Sequence, residues 1–224
     1  MSRAVYAVFV AGGSGTRMGG STPKQFLELG GIPILQRSVE NFLRAEPAAH
    51  VIVVLPESGV EVWRNLCIKY AVSFPQTIVH GGLTRFHSVR NALSKVPDGA
   101  IVSIHDGVRP LATPDLVHSM LVRMRDAKGP KALIPVVPVV DTLRSTEPGA
   151  CPPDRSRLVA VQTPQMFLSE AIKQAYRLPY DTSFTDDASV AERAGYSIET
   201  IPGERFNIKI TTPDDLRLAR LLVE

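Results

Sequence analysis

An apolar strand candidate, Ala4 to Ala11, runs straight into a loop that holds five glycines, Arg17 and Lys24 within residues 10–25. Glycine lets the backbone take positive φ and approach a ligand closely, so several N–H groups can converge on one anion. Two cations in such a loop supply the charge that a triphosphate, or the transition state of substitution at it, requires. The loop therefore reads as one that binds phosphate and takes part in its chemistry, against the plainer alternative of a long glycine-rich surface turn.

Three familiar phosphate loops do not fit. The pattern G-x-x-x-x-G-K-[ST] fails because Lys24 follows Pro23 and precedes Gln25. The dinucleotide fingerprint fails because position 18, three residues after Gly15, is Met, and the second strand candidate, Val51–Leu55, ends in Pro56 rather than an acid. A kinase glycine loop would need its catalytic and metal-binding signatures downstream, and they are missing from the sequence.

The 224 residues, 44% of them apolar, suit one domain with a sizeable core, residues 1–224. Apolar runs such as Ala132–Val140 are too short and proline-broken to cross a bilayer. Residues 1–11 read as a strand rather than a signal peptide. Cys67 and Cys151 lie far apart without metal or redox spacing, so a reduced, cytoplasmic setting is expected. A net charge of +3, without clusters of Lys and Arg interleaved with aromatics, favours a small anionic substrate over nucleic acid or a membrane.

Strand candidates are Val5–Ala11, Val51–Leu55, Thr77–His80, Ile101–His105, Ala132–Val137 and Ser197–Ile201. Helix candidates are Ile34–Ala45, Val60–Tyr70, Arg85–Lys95, Pro114–Ala127, Ser169–Arg177, Asp186–Ala194 and Pro213–Leu222. This alternation predicts an α/β fold: a mostly parallel twisted sheet with helices on both faces. Thr113-Pro114-Asp115 and Thr212-Pro213-Asp214 each place a capping residue before a first-turn proline and an acid. Residues 138–160, with four prolines and two β-prone pieces around a turn, read as a projecting β-hairpin arm. A lone hairpin is marginal unless it packs on something, which points to a homodimer; a disordered loop is the other reading. Ligands of open α/β sheets bind beyond the carboxyl ends of the strands, so the loops Gly12–Gln25, His80–Ser88, Asp106–Pro110, Asp141–Thr142 and the segment around Thr185 carry the candidate site.

Those loops, in order, resemble the 2-C-methyl-D-erythritol 4-phosphate cytidylyltransferases of the non-mevalonate isoprenoid pathway. The resemblance spans nearly the whole chain: Ala11-Gly-Gly-Ser-Gly-Thr-Arg-Met18, Pro23-Lys-Gln-Phe26, Gly81-Gly82, Arg85-Phe-His-Ser-Val89, His105-Asp-Gly-Val-Arg-Pro110, Asp141-Thr142, Asp154-Arg155, Gln162-Thr-Pro-Gln165, Thr185-Asp-Asp-Ala-Ser189 and Asn207-Ile-Lys-Ile-Thr211. One departure is Gly107, where the family usually has alanine. The resemblance implies a Rossmann-like nucleotide-diphospho-sugar transferase fold and transfer of a cytidylyl group from CTP to a polyol phosphate, releasing pyrophosphate. It implies Mg²⁺ held mainly by the triphosphate, with no protein metal cage, although Asp106 matches a position that binds the ion in related sugar nucleotidyltransferases.

The same resemblance assigns roles. Arg17 and Lys24 would stabilise the transition state, and Arg155 and Lys209 would hold the acceptor phosphate. Ala11, Gly12, Gly13, Gly15, Gly81, Gly82 and Ser88 would bind CTP. Asp106 and Arg109 would bind the acceptor, with Thr142, Thr163 and Thr185 as hydroxyl donors. Lys209, between Ile208 and Ile210, is expected to be turned away from the apolar face by strand alternation. Ribitol 5-phosphate cytidylyltransferases share the terminal Asn207–Pro213 segment and stay open as an alternative. So do a non-catalytic nucleotide sensor and a Rossmann dehydrogenase.

Overall fold

The first strand, β1 (Val5–Val10), has apolar residues on both faces because both faces are covered. Val5, Ala7 and Phe9 pack on one side of the sheet, and Val8 packs on the other. A computed structural model describes residues 3–13, 22–147 and 149–223 of the chain. In it β1 lies between two parallel neighbours, β4 (His50–Leu55) and β6 (Ile101–Asp106). A small hairpin, β2 (Glu28–Leu29) and β3 (Ile32–Pro33), stands apart. β5 (Gln76–His80), β7 (Ala132–Pro138), β8 (Val159–Val161), β9 (Gln165–Leu168) and β10 (Glu199–Pro202) complete the main sheet. Its order is β10-β7-β9-β6-β1-β4-β5, with β8 paired to β7.

Among the described residues there are seven α-helices: α1 (Ile34–Ala45), α2 (Glu57–Lys69), α3 (Arg85–Leu93), α4 (Pro114–Arg125), α5 (Ser169–Ala175), α6 (Asp187–Arg193) and α7 (Pro213–Val223). The first six cover the main sheet, and α7 packs with Leu29 of the small hairpin. Leu35, Val39 and Phe42 of α1, Trp63 of α2 and Met120 of α4 fill one face. Val89 of α3, Ile172 of α5 and Val190 of α6 fill the other. Each large apolar side chain fully buried in this way contributes roughly 1.5–3 kcal/mol. Thr113 and Thr212 cap as their sequence signals require, accepting from Leu116 N–H at 3.2 Å and Asp215 N–H at 3.3 Å.

Three expectations change. The sheet gains β9, which runs antiparallel between β6 and β7 and therefore starts, rather than ends, at the ligand end. The 138–160 segment is not a self-contained hairpin among the described residues. Its pairing lies at the roots, Pro138 with Val159 and Val136 with Val161, and between them runs an exposed irregular excursion with one short 3₁₀ turn, Arg155–Arg157. Finally, residues 207–211 are not a strand. Lys209 is aimed instead by anchors on either side: Ile210 N–H donates to Val108 C=O at 2.9 Å, and the buried Asn207 amide donates to Thr163 C=O at 2.9 Å.

Candidate active site

β1, β4 and β6 all end at the same edge of the sheet, and two cavities open there. The first, of about 330 Å³, is lined by Ala11, Gly12, Gly13, Lys24, Gly82 and Ser88. The second, of about 540 Å³, is lined by Arg109, Thr163 and Thr185. Arg85, Asp106 and Lys209 line both, so the two cavities share a wall.

Lys24 enters the first cavity from a single 3₁₀ turn, Lys24–Phe26, whose other side chains are anchors. Gln25 is fully buried and its Nε2 donates to Ala11 C=O at 2.8 Å. Phe26 stacks on Trp63 with ring centroids 6.1 Å apart. These contacts fix the backbone that presents Lys24, itself buried. Gly15 and Arg17 lie outside the described residues.

Across the cavity, the Gly81–Ser88 turn is held by one hydroxyl. Ser88 Oγ donates to Thr84 C=O at 2.9 Å and accepts from Gly82 N–H at 3.0 Å. The Gly82 amide is thus already engaged. A side chain at Gly82 would sit 2.4 Å from His87 Cβ and 3.0 Å from its carbonyl carbon, so only glycine fits without moving the turn. Gly81 stands behind, its N–H donating to Leu55 C=O. Ser88 is buried, which removes the plainer reading of a surface serine.

The shared wall is electrostatic. Asp106 Oδ2 lies 3.0 Å from Lys209 Nζ and 3.2 Å from Arg109 Nε, and Oδ1 lies 3.8 Å from Arg85 Nε. Burial alone would raise the Asp106 carboxyl, but Arg85, Lys209 and Arg109 outweigh it and hold it well below the usual carboxylate range. His105, behind it, is buried and pushed down to about 4, so the ring is neutral at neutral pH. Its Nε2 lies 3.3 Å from Arg109 C=O, which can only accept, so Nε2 carries the hydrogen and Nδ1 accepts from Thr163 Oγ1 at 2.8 Å. Thr163 Oγ1 in turn accepts from Asp106 N–H at 3.0 Å. The expected hydroxyl donor at Thr163 therefore has its proton committed; what it offers a ligand is a lone pair.

Gly107 also has a local reason. A Cβ there would meet Leu35 Cδ1 at 2.9 Å and Ala11 Cβ at 3.1 Å, so those neighbours fill the space a family alanine would take.

Two expected residues stand elsewhere within the chain. Arg155 is exposed, donates to Val140 C=O at 2.6 Å and lines a separate groove with Val137, Leu158 and Ile201. Thr142 is exposed on the same excursion. Conversely, Arg85 was not among the expected site residues. The available signal was an arginine opening a helix, where the backbone dipole favours an acid. It is tolerated because Asp187 receives it, with Nη1–Oδ1 at 2.9 Å and Nη2–Oδ2 at 2.6 Å.

No three His, Cys, Asp or Glu side chains converge among the described residues. Asp106 is the one carboxylate among the described residues lining the first cavity, and three cations already engage it. No helix of the described residues is long and apolar enough to cross a membrane.

The family model for 2-C-methyl-D-erythritol 4-phosphate cytidylyltransferase matches residues 5–224. A protein of that name from Porphyromonas gingivalis is 46% identical over 226 aligned residues, covering 100% of this chain and 99% of the relative. One from Phocaeicola vulgatus is 43% identical, covering 97% and 99%. The crystal structure of 4-diphosphocytidyl-2C-methyl-D-erythritol synthase from Anaerococcus prevotii superposes with a TM-score of 0.81 at 26% identity, covering 99% of this chain and 96% of that one. With this match from strand to strand, the chain belongs to the 2-C-methyl-D-erythritol 4-phosphate cytidylyltransferase family.

Proposed function

We propose that this chain, acting as one cytidylyltransferase domain over residues 1–224, transfers the cytidylyl group of CTP to 2-C-methyl-D-erythritol 4-phosphate and releases pyrophosphate. The observation that carries the reading is the pair of cavities meeting at Arg85, Asp106 and Lys209. Two anionic reactants must approach each other, and a cationic wall shared by both cavities is where their repulsion can be offset.

CTP occupies the first cavity, its base against Ala11, Gly12, Gly81, Gly82 and Ser88 and its phosphates over Gly13, Gly15, Arg17 and Lys24. One Ser88 lone pair is left to accept from the cytosine amine, since its proton and other lone pair are used. The acceptor occupies the second cavity, its hydroxyls near Asp106, Arg109, Thr163 and Thr185. Its phosphate oxygen attacks the α-phosphorus; the new P–O bond forms as the bond to the departing pyrophosphate breaks. No proton need move, because a phosphate dianion is already the nucleophile. The task of the protein is positioning and charge stabilisation by Arg17, Lys24 and Lys209. We infer that Mg²⁺ arrives as the CTP complex, because Asp106 is engaged by three cations. Such an ion keeps much of its shell as phosphate and water.

Pyrophosphate release with CTP and each candidate acceptor tests the assignment. Turnover of 2-C-methyl-D-erythritol 4-phosphate is expected; turnover of ribitol 5-phosphate alone overturns it. The same assay across pH yields a second expectation. Asp106 stays ionised and His105 neutral through the working range, so neither sets an acid limb. Activity is expected to fall below about pH 6 as the acceptor monoester takes up its second proton, and a less acidic phosphonate acceptor is expected to move that limb upward. A limb that ignores the acceptor contradicts nucleophilic attack by the dianion.

The working unit we propose is a homodimer in the cytoplasm. Val140, Leu143, Leu158 and Val159 are exposed on or beside the excursion, and Arg155 and Thr142 stand away from their own chain's cavities. A second copy seated there would bury the apolar residues and bring Arg155 to the acceptor phosphate. Mixing Arg155→Ala subunits with Lys24→Ala subunits is expected to restore activity that neither has alone. Full activity from a species that sediments as a monomer refutes the arrangement.

A further inference from the structure

Behind Arg85 stands a buried relay that takes no part in the account above. Asp187, the first residue of α6, is wholly buried and grips the guanidinium through both oxygens. Tyr176, next to the end of α5, is buried too, and its hydroxyl donates to Asp187 Oδ1 at 2.6 Å. The Tyr176 ring stacks on Phe86, the neighbour of Arg85, with centroids 4.6 Å apart, and Phe184 stacks near the same ring at 5.7 Å. The first turn of α3 is thereby fastened to α5 and to the segment before α6. With both Nη atoms taken by Asp187, the Nε edge of Arg85 is left toward Asp106.

We propose that Asp187 and Tyr176 are positioning residues for the transfer. Tyr176 fixes the Asp187 carboxylate, and Asp187 holds the Arg85 guanidinium at the wall where the nucleotide and acceptor cavities meet. Neither touches substrate; both act through Arg85. A paired carboxylate is required for the arginine to be there at all, since burial alone disfavours its charged form and Asp187 with Asp106 more than restores it. A two-point grip fixes the plane of the guanidinium as well as its place. Without the tyrosine hydroxyl, the carboxylate could rotate and the arginine plane with it. Displacement of a positioned group by about 1 Å can cost on the order of 100-fold in rate.

The inference rests on the cytidylyl-transfer reading, so its test has one arm that depends on turnover and one that does not. Tyr176→Phe is expected to slow kcat about 3- to 10-fold, the worth of one net hydrogen bond, and Asp187→Asn up to about 100-fold. In an Arg85→Ala background both substitutions are expected to change kcat by less than about twofold, because their effect travels through the missing arginine. Separately, nitrogen-detected NMR of the arginine side chains is expected to show slow Nη rotation for Arg85 in the wild type and faster rotation in Tyr176→Phe. Losses that multiply unchanged in the Arg85→Ala background overturn the proposal, as does an Arg85 signal that rotates freely in the wild type. A merely structural role would lower Tm while leaving kcat per folded molecule intact. Tyr176→Phe keeps the ring and its stacking, so it remains informative if Asp187→Asn fails to fold. A wild type without cytidylyl transfer would refute the function while the NMR arm still decides the relay.

Discussion

Lys24→Ala is expected to reduce kcat by about 10²–10³ while changing CTP dissociation little. This is the loss typical of one preorganised donor aimed at charge that develops in the transition state. The lysine is buried at the first cavity, and its backbone is pinned by Gln25 on Ala11 and by Phe26 on Trp63. Its charge therefore need not reorganise as the leaving pyrophosphate gains charge. Steady-state pyrophosphate release set beside calorimetric CTP binding separates the two effects. Equal losses in both would make Lys24 a ground-state binding residue and remove it from the chemistry.

Asp106→Asn is expected to be the most damaging change to stability at the site. Arg109 and Lys209 would lose their carboxylate, while Arg85 would keep Asp187. Breaking a buried pair in this way costs about 3–5 kcal/mol. For a chain of this length that lowers Tm by roughly 6–20 °C. The pH dependence gives the sign. The folded carboxyl lies below its unfolded value of about 3.9. Its contribution is therefore complete above that value and is lost as pH falls toward the depressed one. The Tm gap between wild type and variant is expected to be full at neutral pH and to narrow in acid. A variant that melts with the wild type at neutral pH would mean that the three cations do not depend on Asp106.

The elements that carry the site were legible because both faces of the sheet are covered. Strands such as Val5–Val10 and, after its first residue, His50–Leu55 are continuous apolar runs with helical periodicity between them. β9 escaped because Gln165–Leu168 is four residues long, follows Pro164 and runs directly into α5 with no turn to announce it. The resemblance put Lys209 among the site residues, but strand alternation does not orient it: the segment is not a strand, and the hydrogen bond from Ile210 N–H to Val108 C=O sets its direction. The glycines and Ser88 were visible as a motif. That Ser88 staples Gly82 to Thr84 was not, since a serine's partners depend on a turn whose shape is set by contacts with β4 and α3. Arg85 was hidden because its partner, Asp187, lies 102 residues away.

The reversal of direction after β7, with β8 and β9 both running against it, has a practical meaning. The chain leaves the ligand end of the sheet after β7 and comes back through β8 to the same end, so the described residues between Val139 and Leu158 are hung outside the core. Val136, Val159 and Val161, at the roots of that excursion, line the second cavity, proposed above for the acceptor, and not the first. Grafting a segment of different length or composition onto those roots is thus a route to new polyol selectivity that leaves the recognition of cytosine alone.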